Sequence, residues 1–151
     1  MTGEPTLRAR AVRMLARRDY ARAELSAKLA PHVAAGEDLT ALLDDLQARG
    51  YLSDARFAEQ LANRHRGRHG PLTVERELRR RGVSDDIVST TVTEARSTEY
   101  DEAQRVLRRK FTTAPANMQE WARQGRYLQA RGFSLEVIRR LLRAPIEQEL
   151  G

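Results

Sequence analysis

Apolar residues recur every three to four positions along this chain, in short runs that stop at glycine, proline or small polar pairs. Leu7, Ala11, Met14 and Leu15 share one side of a helix predicted over about Leu7 to Arg17. A second follows Asp19-Tyr20, turns Ala23, Leu25 and Leu29 inward, and stops near Pro31. Gly36-Glu37-Asp38 breaks the pattern, and Leu39, Leu42, Leu43 and Leu46 make a third stripe that Gly50 closes. Ser53 or Asp54 suits the N-cap of a fourth helix whose buried side is Phe57, Ala58, Leu61 and Ala62. Gly67 to Gly70 interrupts it, and Pro71 suits the first turn of a fifth. Gly82 ends that one, and Ser84 caps a sixth facing inward through Ile87, Val88, Val92 and Ala95. The last third follows the same plan: Tyr100, Ala103, Val106 and Leu107, then Met118, Trp121, Gly125 and Leu128, then Val137, Ile138, Leu141 and Leu142. No stretch alternates with the period of a strand, so the expected class is all-α.

The plan is also a repeat. Glu77-Leu78-Arg79-Arg80-Arg81-Gly82-Val83-Ser84-Asp85-Asp86-Ile87-Val88 matches Tyr127-Leu128-Gln129-Ala130-Arg131-Gly132-Phe133-Ser134-Leu135-Glu136-Val137-Ile138 at an offset of 50 residues. Helices of roughly 10–15 residues are marginal alone, and three around one apolar stripe form the smallest unit that holds. The pattern therefore predicts three tandem three-helix modules, 1–52, 53–96 and 97–151, stacked as an elongated, curved array. Such arrays present a surface rather than enclose a pocket.

Charge says what that surface would meet. Lys+Arg outnumber Asp+Glu by 27 to 21, giving a net charge of +6 and a pI near 10.4, which points to a polyanionic partner. Lys28 and Lys110 are the only lysines; arginine, with its forked bonds to phosphate or carboxylate, supplies the rest. At 100° per residue, Arg10, Arg13 and Arg17 line one flank of the first helix. Arg76 and Arg80 point away from Leu78, Arg105 and Arg109 away from Ala103 and Leu107, and Arg139 and Arg143 away from Leu141. Ordinary solvated faces in an arginine-rich chain would look alike on any single helix, whereas recurrence in three modules favours a binding track. Tyr127, off the Trp121 stripe and between Arg123 and Arg126, is the better tyrosine for an exposed contact. The acidic groups Glu37-Asp38, Asp44-Asp45, Glu99-Asp101-Glu102 and Glu147-Glu149 read as helix N-terminal charges and solvated faces.

Chemistry is harder to find. His65 and His69 have the spacing of a helical metal pair, but Gly67 separates them and no third ligand is placed, so no metal is expected. No nucleophile elbow, phosphate-binding glycine loop or tuned carboxylate pair stands out, so neither catalysis nor a cofactor is expected. There are no cysteines, in keeping with a reducing compartment. No apolar run approaches the roughly 20 residues that span a bilayer, and the start Met-Thr-Gly-Glu-Pro lacks a signal-peptide core. A cytoplasmic, monomeric protein with no membrane partner is the expectation.

The stretch Arg49-Gly50-Tyr51-Leu52-Ser53-Asp54-Ala55-Arg56-Phe57-Ala58 closely resembles the signature of the RecX family, bacterial regulators of the RecA recombinase. Tyr20 to Leu25 with Lys28-Leu29, Glu77 to Val83 and Arg131 to Ser134 extend the resemblance from about Leu7 to Leu142. It implies three tandem three-helix modules and a non-catalytic protein bound in the groove of the RecA–single-stranded DNA filament. There it would limit filament growth, ATP hydrolysis, strand exchange and repressor co-cleavage in the SOS response. The insertion His32 to Gly36 in the first module departs from the other two. Contact candidates on that view are Arg10, Arg13, Arg17, Arg76, Arg80, Arg105, Arg109, Arg123, Arg126, Tyr127, Arg139 and Arg143, facing recombinase carboxylates or DNA phosphate. The rival is a helix-turn-helix-like regulator acting directly on duplex DNA, with Arg76 to Arg81 as its reading helix.

Overall fold

The structure, a computed structural model, describes residues 3–142. Among these are nine α-helices and no strand: α1 (Leu7–Arg17), α2 (Arg22–Leu29), α3 (Leu39–Ala48), α4 (Asp54–His65), α5 (Pro71–Arg80), α6 (Asp85–Ser97), α7 (Glu99–Lys110), α8 (Met118–Ala130) and α9 (Leu135–Leu141). A single 3-10 turn, Ala30–His32, extends α2. The fold is all-α, as the spacing of apolar residues predicts. The described chain falls into two compact units. The first comprises the residues through Gln60 together with Leu78–Val88; the second comprises Leu61–Glu77 and the residues from Ser89 onward. Helices α4, α5 and α6 thus contribute to both.

In the first unit, Leu7, Ala11, Leu25, Leu29, Leu43, Leu46 and Leu52 form the core, with Met14, Leu15, Tyr20, Leu39 and Leu42 packed around it. Side-chain oxygens begin two of its helices: Thr6 accepts from the Ala9 amide and Asp38 from the Ala41 amide, each at 3.1 Å. Ala23 is exposed, contrary to the predicted stripe. Two residues along a helix is a 200° rotation, so Ala23 and Leu25 cannot share a face, and Ala21, Leu25 and Leu29 are the buried set. Glu24 is buried beside them and receives both terminal nitrogens of Arg18, at 3.2 and 3.1 Å, and also the Arg81 guanidinium. The carboxylate raises the Arg18 pKa, chiefly through that hydrogen bond. Arg18 also lies 3.6 Å over the Tyr20 ring.

In the second unit, Ala103, Val106, Leu128, Phe133, Val137, Ile138 and Leu142 make the core, with Tyr100, Leu107, Trp121, Tyr127 and Leu141 half-buried against it. The Trp121 indole N–H donates to the Leu142 carbonyl at 3.0 Å. Met118, placed in the inward stripe by spacing, is 46% exposed; the buried side of α8 starts at Trp121 and runs through Gln124 and Leu128. Ser134 caps α9 through the Val137 amide, and the buried Glu99 carboxylate accepts from the Ser134 amide at 2.7 Å. Glu99 therefore serves a second helix as well as its own N-terminus.

One turn closes α3, α5 and α8 alike. Gly50, Gly82 and Gly132 carry φ of 81°, 77° and 89°. In each case the glycine amide bonds back to the residue three before it, and the next amide bonds back five, to Leu46, Leu78 or Leu128. Gly132 has a second duty. The turn before α5 presses onto it: the Gly70 amide donates to the Arg131 carbonyl at 2.7 Å, the Leu72 amide to the Gly132 carbonyl at 3.0 Å, and the Thr73 hydroxyl to the Arg131 carbonyl at 3.1 Å. A Cβ on Gly132 would lie 2.2 Å from Thr73 Oγ1, and one on Gly70 2.5 Å from the Gly132 carbonyl oxygen. We predict that Gly132→Ala costs about 3 kcal/mol or more, because left-handed strain of about 1–2 kcal/mol adds to overlap. Gly36→Ala, at φ 86° with open space around it, should cost only about 1 kcal/mol. Urea denaturation midpoints of the two variants check this; equal losses would refute the close-approach account.

Candidate basic interface

The arginines divide by partner. Arg8 and Arg49 meet Asp45, Arg18 and Arg81 meet Glu24, Arg22 meets Asp44, Arg56 meets Asp19 and Arg79 meets Asp85. Asp44 and Asp45, read from sequence as N-terminal or solvated charges, are therefore internal ion-pair partners of α3. Two guanidinium hydrogen bonds hold the Asp45 carboxyl below its usual pKa. Among the described residues, Arg10, Arg13, Arg17, Arg76, Arg80, Arg105, Arg109, Arg123, Arg126 and Arg139 meet no carboxylate. All are exposed except Arg10, which is half-buried. Arg143 lies outside the described residues, as do Glu147 and Glu149.

Helix geometry accounts for the first ridge: Leu7 and Ala11 take the buried side of α1, leaving Arg10, Arg13 and Arg17 on one flank. On α5, Arg76 reaches the Thr73 hydroxyl, at 3.5 Å, and Arg80 is exposed opposite the buried Leu78. On α7, Arg105 is exposed, but Arg109 is engaged, donating to the Gly67 carbonyl at 2.8 Å. Arg123 of α8 lies 5.2 Å over the Phe111 ring.

Tyr127 is half-buried rather than freely exposed. Its ring meets Phe111 edge-on at 5.5 Å, with Lys110 Nζ 5.7 Å and the Arg131 guanidinium 5.0 Å from its centroid. The exposed tyrosine is Tyr51, at 54%. Within the second unit, Gly67, Arg68, Val106, Arg109, Lys110, Tyr127 and Arg131 line a hollow of about 190 Å³. The structure thus brings two sequence candidates, Arg109 and Tyr127, together with three cations the sequence reading passed over. The available signal was the run Arg66-Gly67-Arg68, where a helix break between arginines exposes them on a turn.

His65 and His69 flank that turn. Their Nδ1 atoms are 3.0 Å apart, and His65 Nε2 lies 3.0 Å from Glu77 Oε2. One proton between two facing Nδ1 atoms makes a hydrogen bond; two would repel. No group of three or more metal-binding side chains occurs among the described residues, and no described helix is long and apolar enough to cross a membrane.

Known proteins resemble this one over most of its length. A family model described as the second three-helix domain of RecX matches residues 53–92, and one described as the third matches residues 97–142. The regulatory protein RecX of Leptothrix cholodnii is 42% identical over 138 residues, covering 91% of this chain and 88% of that protein. That of Chromobacterium violaceum is 42% identical over 139 residues, covering 91% and 89%. The crystal structure of RecX from Lactobacillus salivarius shares the fold, with a TM-score of 0.70 at 18% identity over 95% of this chain and 94% of that one.

Burial lowers the His69 pKa, and the neighbouring His65, Arg131 and Arg68 lower it further. A depressed histidine pKa means that the unfolded chain binds more protons, so stability rises with pH. The contribution is intact above the ordinary histidine pKa of about 6.5 and drains away as pH falls below it. Thermal melts should show a midpoint falling as pH drops through that window, and His69→Asn should flatten the slope. An unchanged slope in the variant would rule out His69 as the source.

Proposed function

The chain belongs to the RecX family, and from that premise we propose that it is a non-catalytic, cytoplasmic and monomeric inhibitor of the RecA recombinase, bound in the groove of the recombinase–single-stranded DNA filament. Its three modules, 1–52, 53–96 and 97–151, each bring a basic ridge to that groove. The observation that supports this reading is the division of the arginines. Those with carboxylate partners hold the fold together, whereas the ridge residues Arg10, Arg13, Arg17, Arg76, Arg80, Arg105, Arg123, Arg126 and Arg139 have no carboxylate partner among the described residues. A guanidinium without an internal acid is available to an external one, whether recombinase carboxylate or DNA phosphate.

Each exposed ion pair contributes below about 1 kcal/mol, so affinity comes from many contacts made at once along a repeating polymer. Filament growth is then opposed by occupancy of the groove, with no bond made or broken by this chain. The test is the recombinase's ATPase on single-stranded DNA with the protein added. Single arginine-to-alanine changes should shift the inhibitory concentration by about twofold, and Arg10→Glu with Arg13→Glu and Arg17→Glu by at least about tenfold. Inhibition should also weaken steeply between about 50 and about 200 mM salt. Full inhibition after charge reversal of the arginines on every ridge would sink the groove assignment. Tight sequence-specific binding to duplex DNA by the chain alone would favour the direct regulator instead.

A further inference from the structure

We infer that the hollow lined by Arg68, Arg109, Lys110, Arg131 and Tyr127 is a seat for a phosphodiester of single-stranded DNA. The inference deepens the filament reading, on which the biological source of that DNA rests, by naming the ligand of one patch.

Four cations and no carboxylate line the hollow. Arg18 and Arg56, by contrast, are fixed by acids, and their charge is spent within the protein. Here the fixing groups are main-chain carbonyls: Arg109 Nη2 donates to Gly67 O at 2.8 Å and Arg131 Nη1 to Arg68 O at 3.1 Å. A neutral acceptor orients a guanidinium without cancelling its charge, and each fork keeps further N–H donors to offer. Arg131 is held a second way, since the Gly70 amide and the Thr73 hydroxyl clamp its own carbonyl. The groups are therefore positioned before any ligand arrives, which removes part of the ordering entropy of binding.

Gly67 makes the arrangement possible. It sits at φ 72°, and a Cβ there would come within 3.3 Å of Arg109 Nη2. The depressed His69 pKa, caused in part by Arg131 and Arg68, reports the same concentration of positive charge. At about 190 Å³ the hollow has room for a phosphate group in place of bound water. Tyr127 closes one side with an aromatic ring between Lys110 and Arg131. An aromatic beside a cationic groove is the pairing used for single strands, where the phosphate is neutralised and a neighbouring base or sugar lies on the ring.

The measurement is fluorescence anisotropy of labelled oligothymidylate with the full chain and no recombinase. Arg68→Gln, Arg109→Gln and Lys110→Gln together should weaken binding at least about tenfold and lower the salt slope by about 2, from the roughly 0.7 ions released per single-strand phosphate. A charge-matched control, Lys28→Gln, Arg64→Gln and Arg96→Gln, removes three exposed cations that do not line the hollow and should change binding less than about threefold. Arg109→Lys alone, which keeps the charge and loses the fork, should give an intermediate loss in a chain whose thermal midpoint is unchanged. Tyr127→Leu should weaken oligothymidylate but not an abasic strand of equal charge. Binding within about twofold of the unaltered chain for the hollow triple, or an equal loss in the control triple, would overturn the seat in favour of diffuse charge. Displacement by polyglutamate as effective as by unlabelled oligothymidylate would overturn it in favour of an acidic protein ligand. Loss of DNA binding in the hollow triple with ATPase inhibition intact would keep the seat and tell against the filament reading through DNA.

Discussion

Much of the second unit depends on a contact in which two backbone turns meet through main-chain hydrogen bonds, with the Thr73 hydroxyl beside them. Gly70 and Gly132 approach so closely that main-chain amides bond directly to main-chain carbonyls. Such bonds are short, directional and indifferent to the identity of the side chains around them. They fix the turn between α4 and α5 against the turn between α8 and α9, and thereby set where Arg68 and Arg131 project. Part of the hollow's rim, Arg68 and Arg131, flanks those two glycines, and α7 supplies Arg109 and Lys110. Packing of the apolar core alone would hold the helices, but it would leave the turns free to place their arginines in many ways.

The arginines show how one residue type does two jobs. Buried or half-buried acids, chiefly Glu24, Asp19 and Asp45, collect guanidiniums that would otherwise repel one another across short helices. Among the described residues, the remainder, most of them exposed, meet no acid. In a chain with an excess of base over acid, some division of this kind is unavoidable; the fold decides which arginines fall on which side. Those on the flanks of α1, α5, α7 and α9 stand where no acidic side chain of the same unit reaches them.

Element type and most of the core were legible because they rest on local rules. Leu7, Leu25, Leu46, Leu78 and Leu128 recur at helical spacing, and glycine at the end of α3, α5 and α8 announces a left-handed turn. Ser134 and Asp38 cap where short polar side chains at a helix start are expected to. What could not be read is long-range. Ala23 passed as core by composition although its angle excludes it, and Met118 by its place on a stripe that starts one turn later. Asp44 and Asp45 looked like free charge because Arg22 and Arg8 lie far away in sequence. The basic ridges were found by angle alone, but Arg68, Lys110 and Arg131 were missed because a turn and two helix ends, not one helix, bring them together.

Glu24 carries a consequence for how the chain is made. Its second guanidinium partner, Arg81, lies 57 residues further along. A ribosome adds roughly 5–20 residues per second, so roughly 3–11 s separate synthesis of the acid from synthesis of the base that completes its neutralisation. Through that interval Arg18 is the only one of the two guanidinium partners yet synthesised. Translation order thus leaves the amino-terminal bundle electrostatically unfinished until the end of α5 has cleared the exit tunnel.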